Sequence, residues 1–156
     1  MRTGRPQRLG QFDYLGPHRY FLTFCTEGRA RLFDHGDVLW LVHAQILRAA
    51  VQGEFDVLAY CYMPNHVHLL VEGVADGSDG RDFIKRSRQY SGYAFARAYG
   101  RRLWQAYLYE HVVRHHEASV AVAKYILLNP VRAGLAETPE AFPYADAPAW
   151  SVGENV

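Results

Sequence analysis

The sequence predicts an α+β fold of the ferredoxin-like or RRM-like kind, an antiparallel sheet with helices on one face and the opposite face free for chemistry. Three observations predict it. The period of the hydrophobic residues switches repeatedly between two and three-to-four, in the order βαββαβα. A Met63-Pro64-Asn65 turn joins two strand-like runs into a hairpin at the centre of that order. Finally, the second arm of the hairpin alternates histidine with aliphatic residues, so its two faces differ chemically.

The elements follow in order. Tyr20 to Thr26 (YFLTFCT) is aromatic, β-rich and preceded by Gly16-Pro17, the pattern of a strand. Asp37 is placed to cap a helix whose apolar positions Leu39, Val42, Ile46 and Ala50 recur at three and four, and Gly53 ends it. Phe55 to Tyr62 is the second strand and His66 to Glu72 the third. The Gly/Asp/Ser-rich stretch from Gly73 to Gly80 is a loop. A basic helix runs from about Asp82 to Tyr99, closed by Gly100. Leu103 to Val113 gives a fourth strand, and a last helix spans about Glu117 to Leu128.

At 156 residues the chain fits one domain, 1–156, with an amino-terminal basic arm over 1–15 and an acidic carboxyl-terminal tail over 136–156. A hydrophobic content of 49% against 21% charged residues excludes a disordered chain. No apolar run approaches the ~20 residues of a membrane helix, and the Arg-rich start lacks the apolar core of a secretory signal. A cytoplasmic protein is expected. Cys25 and Cys61 lie inside strand-like runs without CxxC spacing and read as reduced core residues.

The net charge of +1 conceals an uneven distribution. Arg2, Arg5 and Arg8 open the chain without an acid among the first twelve residues, and seven basic residues between Arg81 and Arg102 face the single acid Asp82. Such a stripe is often only a solvated helix face. Here Phe83, Tyr90, Tyr93, Phe95 and Tyr99 are interleaved with it, which suits single-stranded nucleic acid, although the same rings could be core.

On the third strand His66 and His68 share one face while Val67, Leu69 and Val71 take the other. Imidazoles about 7 Å apart along a strand can converge on a metal ion, though incidental histidines give the same spacing. On an open sheet face they would contribute little packing. A histidine-triad hydrolase would need a third histidine at position 70, which is leucine, and a zinc hydrolase would have only Glu72 as a nearby acid.

The run YCYMPNHVHLLV (Tyr60 to Val71) closely resembles the histidine–hydrophobic–histidine motif of single-tyrosine HUH transposases, specifically the REP-associated tyrosine transposases. GRPQRL with HRYFLTFCT, LWQAYLYEHVVR and YILLNPVRAGL resemble further segments of that branch in the right order, across most of residues 4 to 135. The resemblance implies an HUH active site opposite the helices, with Tyr125 as the nucleophile and His66, His68 and Asn129 as ligands of a divalent metal, Mg²⁺ or Mn²⁺. Tyr125 and Asn129 are i and i+4 on one helical face, but Pro130 disfavours helical geometry at Asn129, so the ligand is expected at a fraying end. Tyr107 and Tyr109 are the next candidates for nucleophile. The function implied is nicking and rejoining of single-stranded DNA at hairpin-forming repeats through a 5′-phosphotyrosine intermediate. The alternative is a domesticated hairpin-binding protein that does not cut. Arg81, Lys85, Arg86, Arg88, Arg101 and Arg102 are assigned to the DNA phosphates, and Arg5 and Arg8 to bases or groove. The branch implies a monomer, with a dimer as the alternative.

Overall fold

The computed structural model describes residues 12–150. Five strands form one antiparallel sheet: β1 (Arg19–Thr26), β2 (Phe55–Met63), β3 (His66–Gly73), β4 (Trp104–Val113) and the short β5 (Ala145–Asp146), in the order β4-β1-β3-β2-β5. Three helices connect them: α1 (Gly36–Gly53), α2 (Gly80–Tyr99) and α3 (His116–Arg132). The predicted α+β arrangement is present, with β3 at its centre.

Side-chain alternation divides the apolar residues between two cores. Tyr20, Leu22 and Phe24 of β1, Tyr62 of β2 and Val67, Leu69 and Val71 of β3 pack beneath α1 and α2. A smaller cluster of Leu58, Ala59, Cys61, Met63, Leu70, Val113, Ala123 and Ile126 lies on the opposite face. A bulge in β2 between Val57 and Ala59 turns Leu58 and Ala59 toward the same side. Thus α1 and α2 cover one face, and α3 partly roofs the histidine face.

Several local expectations are revised. His35 stands at the N-cap of α1 without a side-chain bond, while Asp37 lies inside the first turn and acts on the helix dipole. Helix α1 closes on Glu54, in the left-handed conformation at φ 57°, with its N–H bonded to Ala50 and Val51 carbonyls. Helix α2 starts earlier than Asp82, because the Asp79 carboxylate accepts from the N–H groups of Arg81 and Asp82. The acidic tail is folded through residue 150: β5 extends the sheet beside β2, and Trp150 and Ala147 close the smaller cluster. Their apolar area outweighs the sparse acids that suggested solvation.

Gly80 shows how tightly α2 is seated, since a Cβ there would lie 2.5 Å from the ring of the fully buried Tyr20. Gly80→Ala should destabilise the protein by about 1–3 kcal/mol through overpacking. Urea unfolding should show a lower midpoint with an unchanged m-value, and an unchanged midpoint would contradict the packing.

Candidate active site

The site is assembled by pairing register. Phe21, Thr23 and Cys25 of β1 stand opposite Leu70, His68 and His66 of β3, so these side chains share the face under α3. The two imidazoles lie with ring centroids 4.8 Å apart and planes at 78°. The Nδ1 of His66 is 2.8 Å from Asn65 Oδ1, an oxygen that can only accept, so Nδ1 carries the proton and Nε2 keeps its lone pair. His68 Nδ1 is 2.8 Å from the Thr23 hydroxyl. With Thr23 accepting, Nε2 of His68 is likewise left as a ligand atom.

Burial sets the charge state of both rings. It pulls His66 down to about 4, with the nearby Arg29 charge adding to the effect. It pulls His68 down to about 3, helped by His66 and Arg132. Both are neutral at physiological pH, the form that binds a metal. The expectation of histidines on an open face fails for His68: it is 4% exposed, because α3 and Phe21 cover it. Among the described residues no group of three or more His, Cys, Asp and Glu gathers to hold a metal. Asn129, with a neutral carboxamide oxygen, lies outside those residue types. Burial also pushes the Cys61 thiol up to about 12 and raises Cys25, so neither competes as a thiolate.

Helix α3 brings Tyr125 to this pair. Ser119, Ala123, Ile126 and Pro130, at helical spacing, are its buried stripe. Near its start Arg19 donates to both Glu72 (2.9 Å) and Ser119 (2.8 Å), fastening β1, β3 and α3 together. This engages Glu72, the one acid a zinc hydrolase could have used. The Tyr125 ring lies 6.1 Å from His68 and 6.0 Å from Phe21, both near edge-on, and remains 48% exposed. Tyr109 meets the other side of Phe21, and Tyr107 is exposed further along β4. Among the described residues Tyr125 is the tyrosine whose ring contacts a histidine of the pair.

The predicted fraying at Asn129 does not occur. Helix α3 runs through Pro130 to Arg132, and the Ala133 N–H bonds the Asn129 carbonyl at 3.0 Å. Proline forfeits one helical hydrogen bond, but its ring is buried in the interface, which offsets part of that loss. Asn129 is thus held one turn beyond Tyr125, half-buried, with no side-chain bond to the histidines.

The predicted basic residues separate into groups. Arg81, Lys85 and Arg88 line a cleft of about 570 Å³ between α2 and β4, and Arg88, Arg101 and Arg102 line its continuation. Arg88 is spent on β4, donating to the Gln105 and Ala106 carbonyls, and Arg102 donates to the Trp104 carbonyl and pairs with Glu27. Arg86 points toward α1, pairing with Asp82 and reaching Gln52. Arg81, Lys85 and Arg101 make no ion pair among the described residues. Arg5 and Arg8 lie outside the described residues. Trp104 is the expected core anchor, its indole N–H bonded to Ser91. His43 is also core, bonded to Tyr62 and pulled down to about 4 by burial.

Four site residues escaped the sequence reading: Phe21, Thr23, Asn65 and Arg132. The Arg132 guanidinium lies 4.2 Å from the Tyr125 ring centroid and donates to the Tyr125 carbonyl. Its i+7 spacing, two helical turns, was the available signal. Thr23 and Phe21 needed the strand register, which local sequence does not display.

Comparison with known proteins bears on the family and the fold. A family profile described as "Transposase IS200 like" matches residues 16–127. A Haemophilus influenzae protein assigned as a REP-associated tyrosine transposase is 28% identical over 147 residues, covering 85% of this chain and 81% of that protein. The structure of a REP-associated tyrosine transposase bound to a REP hairpin superposes with a TM-score of 0.73 at 18% identity, over 89% of this chain and 81% of the other. A Deinococcus radiodurans protein assigned as a transposase gives 0.55 at 22% identity, over 81% and 95%.

The lowered histidine values predict a pH dependence of stability. Above about 6.5 the rings are neutral in folded and unfolded chains alike; as pH falls below that, only the unfolded chain takes up protons. Stability of the metal-free protein should therefore fall from about pH 6.5 toward pH 4. Urea titrations should show a shallower fall in His66→Gln/His68→Gln, with His43 supplying the remainder. Ring protons of His66 and His68 titrating near 6.5 by NMR would overturn the assignment.

Proposed function

The chain belongs to the family of IS200-like transposases, and we propose that it nicks and rejoins single-stranded DNA at the foot of a hairpin, with Tyr125 as its nucleophile. The meeting of Tyr125 with His68 carries this reading. A half-exposed phenol lies beside two neutral imidazoles whose ring orientations are fixed by Asn65 and Thr23. Tyr125 meets His68 of its own chain, which supports cutting in cis.

The Tyr125 oxygen attacks the scissile phosphorus as the bond to the 3′-oxygen breaks. The phenolic proton is lost to solvent, the leaving oxygen acquires one, and a 5′-phosphotyrosine remains. A second DNA 3′-hydroxyl then reverses the step and joins new partners. A divalent metal, Mg²⁺ or Mn²⁺, held by His66 and His68 with Asn129 as third ligand, would supply Lewis acidity to offset the phosphate charge. Phe21 meets both Tyr109 and Tyr125 near edge-on.

Strand β4 is the wall between the site and the cleft, where Arg81, Lys85 and Arg88 stand among Asp79, Asp82 and Glu110. Ala106, Leu108 and Glu110 line the cleft, while Tyr109 and His111, opposite Thr23 and Phe21, face the other way. A hairpin stem lying along Arg81, Lys85 and Arg101 would pass its unpaired foot around this edge to Tyr125. Action on chromosomal DNA would require the protein in the cytoplasm. The hairpin partner seen in the structurally similar transposase supports the choice of substrate.

Binding should weaken steeply with salt, because cation–phosphate contacts release counterions. Lys85→Ala and Arg101→Ala should each reduce the slope of log K against log salt by about 1. Arg88→Ala should lower stability instead, since its guanidinium serves β4 carbonyls. Equal affinity for perfect duplex and for a hairpin with a single-stranded foot would refute the substrate.

Tyr125→Phe tests the chemistry while keeping the ring contacts, so stability and hairpin affinity should change by less than about 1 kcal/mol. Wild-type protein with Mg²⁺ or Mn²⁺ and a labelled strand should yield an adduct that survives denaturation, and the variant none. An adduct persisting in the variant would shift the nucleophile to Tyr109 or Tyr107. Cleavage without any adduct would point to activated water. Tight hairpin binding without cleavage would favour a non-cutting binding protein.

A further inference from the structure

We propose that Arg132 binds the phosphate attacked by Tyr125, exchanging its resting position over the Tyr125 ring for a grip on the non-bridging oxygens. The proposal deepens the reading of Tyr125 as nucleophile and rests on it. Arg132 ends α3 seven residues after Tyr125, and its guanidinium folds back to 4.2 Å from the centroid of that half-exposed ring. Phe21 and His68 meet the same ring near edge-on. A phosphate approaching the Tyr125 hydroxyl from solvent therefore enters beside Arg132.

No structural need explains this placement. A basic residue in a last turn often caps helix carbonyls, but those of Asn129, Val131 and Pro130 already accept from the N–H groups of Ala133, Gly134 and Leu135. The acceptor that Arg132 does reach, the Tyr125 carbonyl, belongs to the helix interior, where the backbone supplies its own donor. Arg132 is exposed and makes no ion pair among the described residues. The basic residues assigned structural work here, Arg19, Arg86, Arg88 and Arg102, have carboxylate or multiple carbonyl partners.

Energetics favours the exchange. An exposed cation–π contact is weak, whereas a guanidinium offers five donors in a planar fork matched to two phosphate oxygens, and only one Arg132 group is in use. Rotation of the side chain about α3 trades the weaker contact for the stronger while the helix stays fixed. The phosphate is then held beside the phenol oxygen, and the positive charge offsets what develops on its oxygens during attack.

The test uses the full chain and a hairpin oligonucleotide with a single-stranded foot, chosen from a set of palindromic sequences as the one the full chain binds most tightly. Single neutral methylphosphonate linkages are scanned along the foot, and affinity is read by fluorescence anisotropy in EDTA, so that no cutting occurs. For wild type, one linkage should cost about tenfold in affinity when neutralised. Arg132→Ala should bind the natural strand about tenfold more weakly and be indifferent to that linkage, with Arg132→Lys in between. Tyr125→Phe should keep the wild-type pattern, which separates phosphate binding from loss of ring packing. With metal restored, the same linkage should become the phosphotyrosine, and adduct formation should slow at least 100-fold in Arg132→Ala. If Arg132→Ala stays sensitive to the linkage, or if no linkage matters to wild type, the grip is refuted even where adduct forms. If sensitivity depends on Arg132 yet wild type forms no adduct, the grip stands and the nucleophile is wrong.

Discussion

The site depends on the register of β3 between its two neighbours. As the central strand it sends Val67, Leu69 and Val71 into one core and His66, His68 and Leu70 toward the other. A slip of one residue would drive both imidazoles into the core beneath α1 and α2 and displace from it three aliphatic side chains, each worth roughly 1.5–3 kcal/mol when buried. That penalty fixes the pairing with β1, and the pairing aligns Thr23 with His68 and Cys25 with His66. The same register places Phe21 where it can meet both Tyr109 and Tyr125.

Helix α3 converts this strand face into an enclosed site. Its buried stripe needs apolar ground, which Leu70 and the bulged β2 residues provide. The Arg19 clasp to Glu72 and Ser119 holds its first turns. Covering the histidines has an electrostatic effect as well as a steric one. Removing solvent disfavours the imidazolium form, so both rings stay neutral, and their Nδ1 atoms are turned toward oxygens of Asn65 and Thr23. The strength of that neutrality and the stability of the roof have the same source.

Charge on α2 is divided between scaffold and surface. Arg88 stabilises irregular carbonyls near the β4 bulge, and Arg86 ties α2 to α1, leaving Arg81 and Lys85 toward the cleft. A basic helix thus supplies fewer free cations than its composition suggests. Arg132, outside that helix, is the cation set against the Tyr125 ring.

The sequence by itself determined what depends on local periodicity: the order of strands and helices, the sharing of a face by His66 and His68, and the i, i+4 relation of Tyr125 and Asn129. The resemblance of several ordered motifs singled out Tyr125 from the other tyrosines. Helix ends were less legible, since Pro130 lies inside α3, where its burial in the interface offsets the hydrogen bond that the local rule counts as lost. The acidic composition after Ala136 concealed a strand and a buried Trp150 for a similar reason, as a few large apolar contacts outweigh average polarity. Only tertiary structure decided which groups orient each imidazole, how deeply His68 is covered, and which arginines are spent on the scaffold. Asn65 orients His66 from the next position, but Thr23 reaches His68 across 45 positions, Arg88 reaches Gln105 across 17 and Arg19 reaches Ser119 across 100, and no local period encodes such pairings.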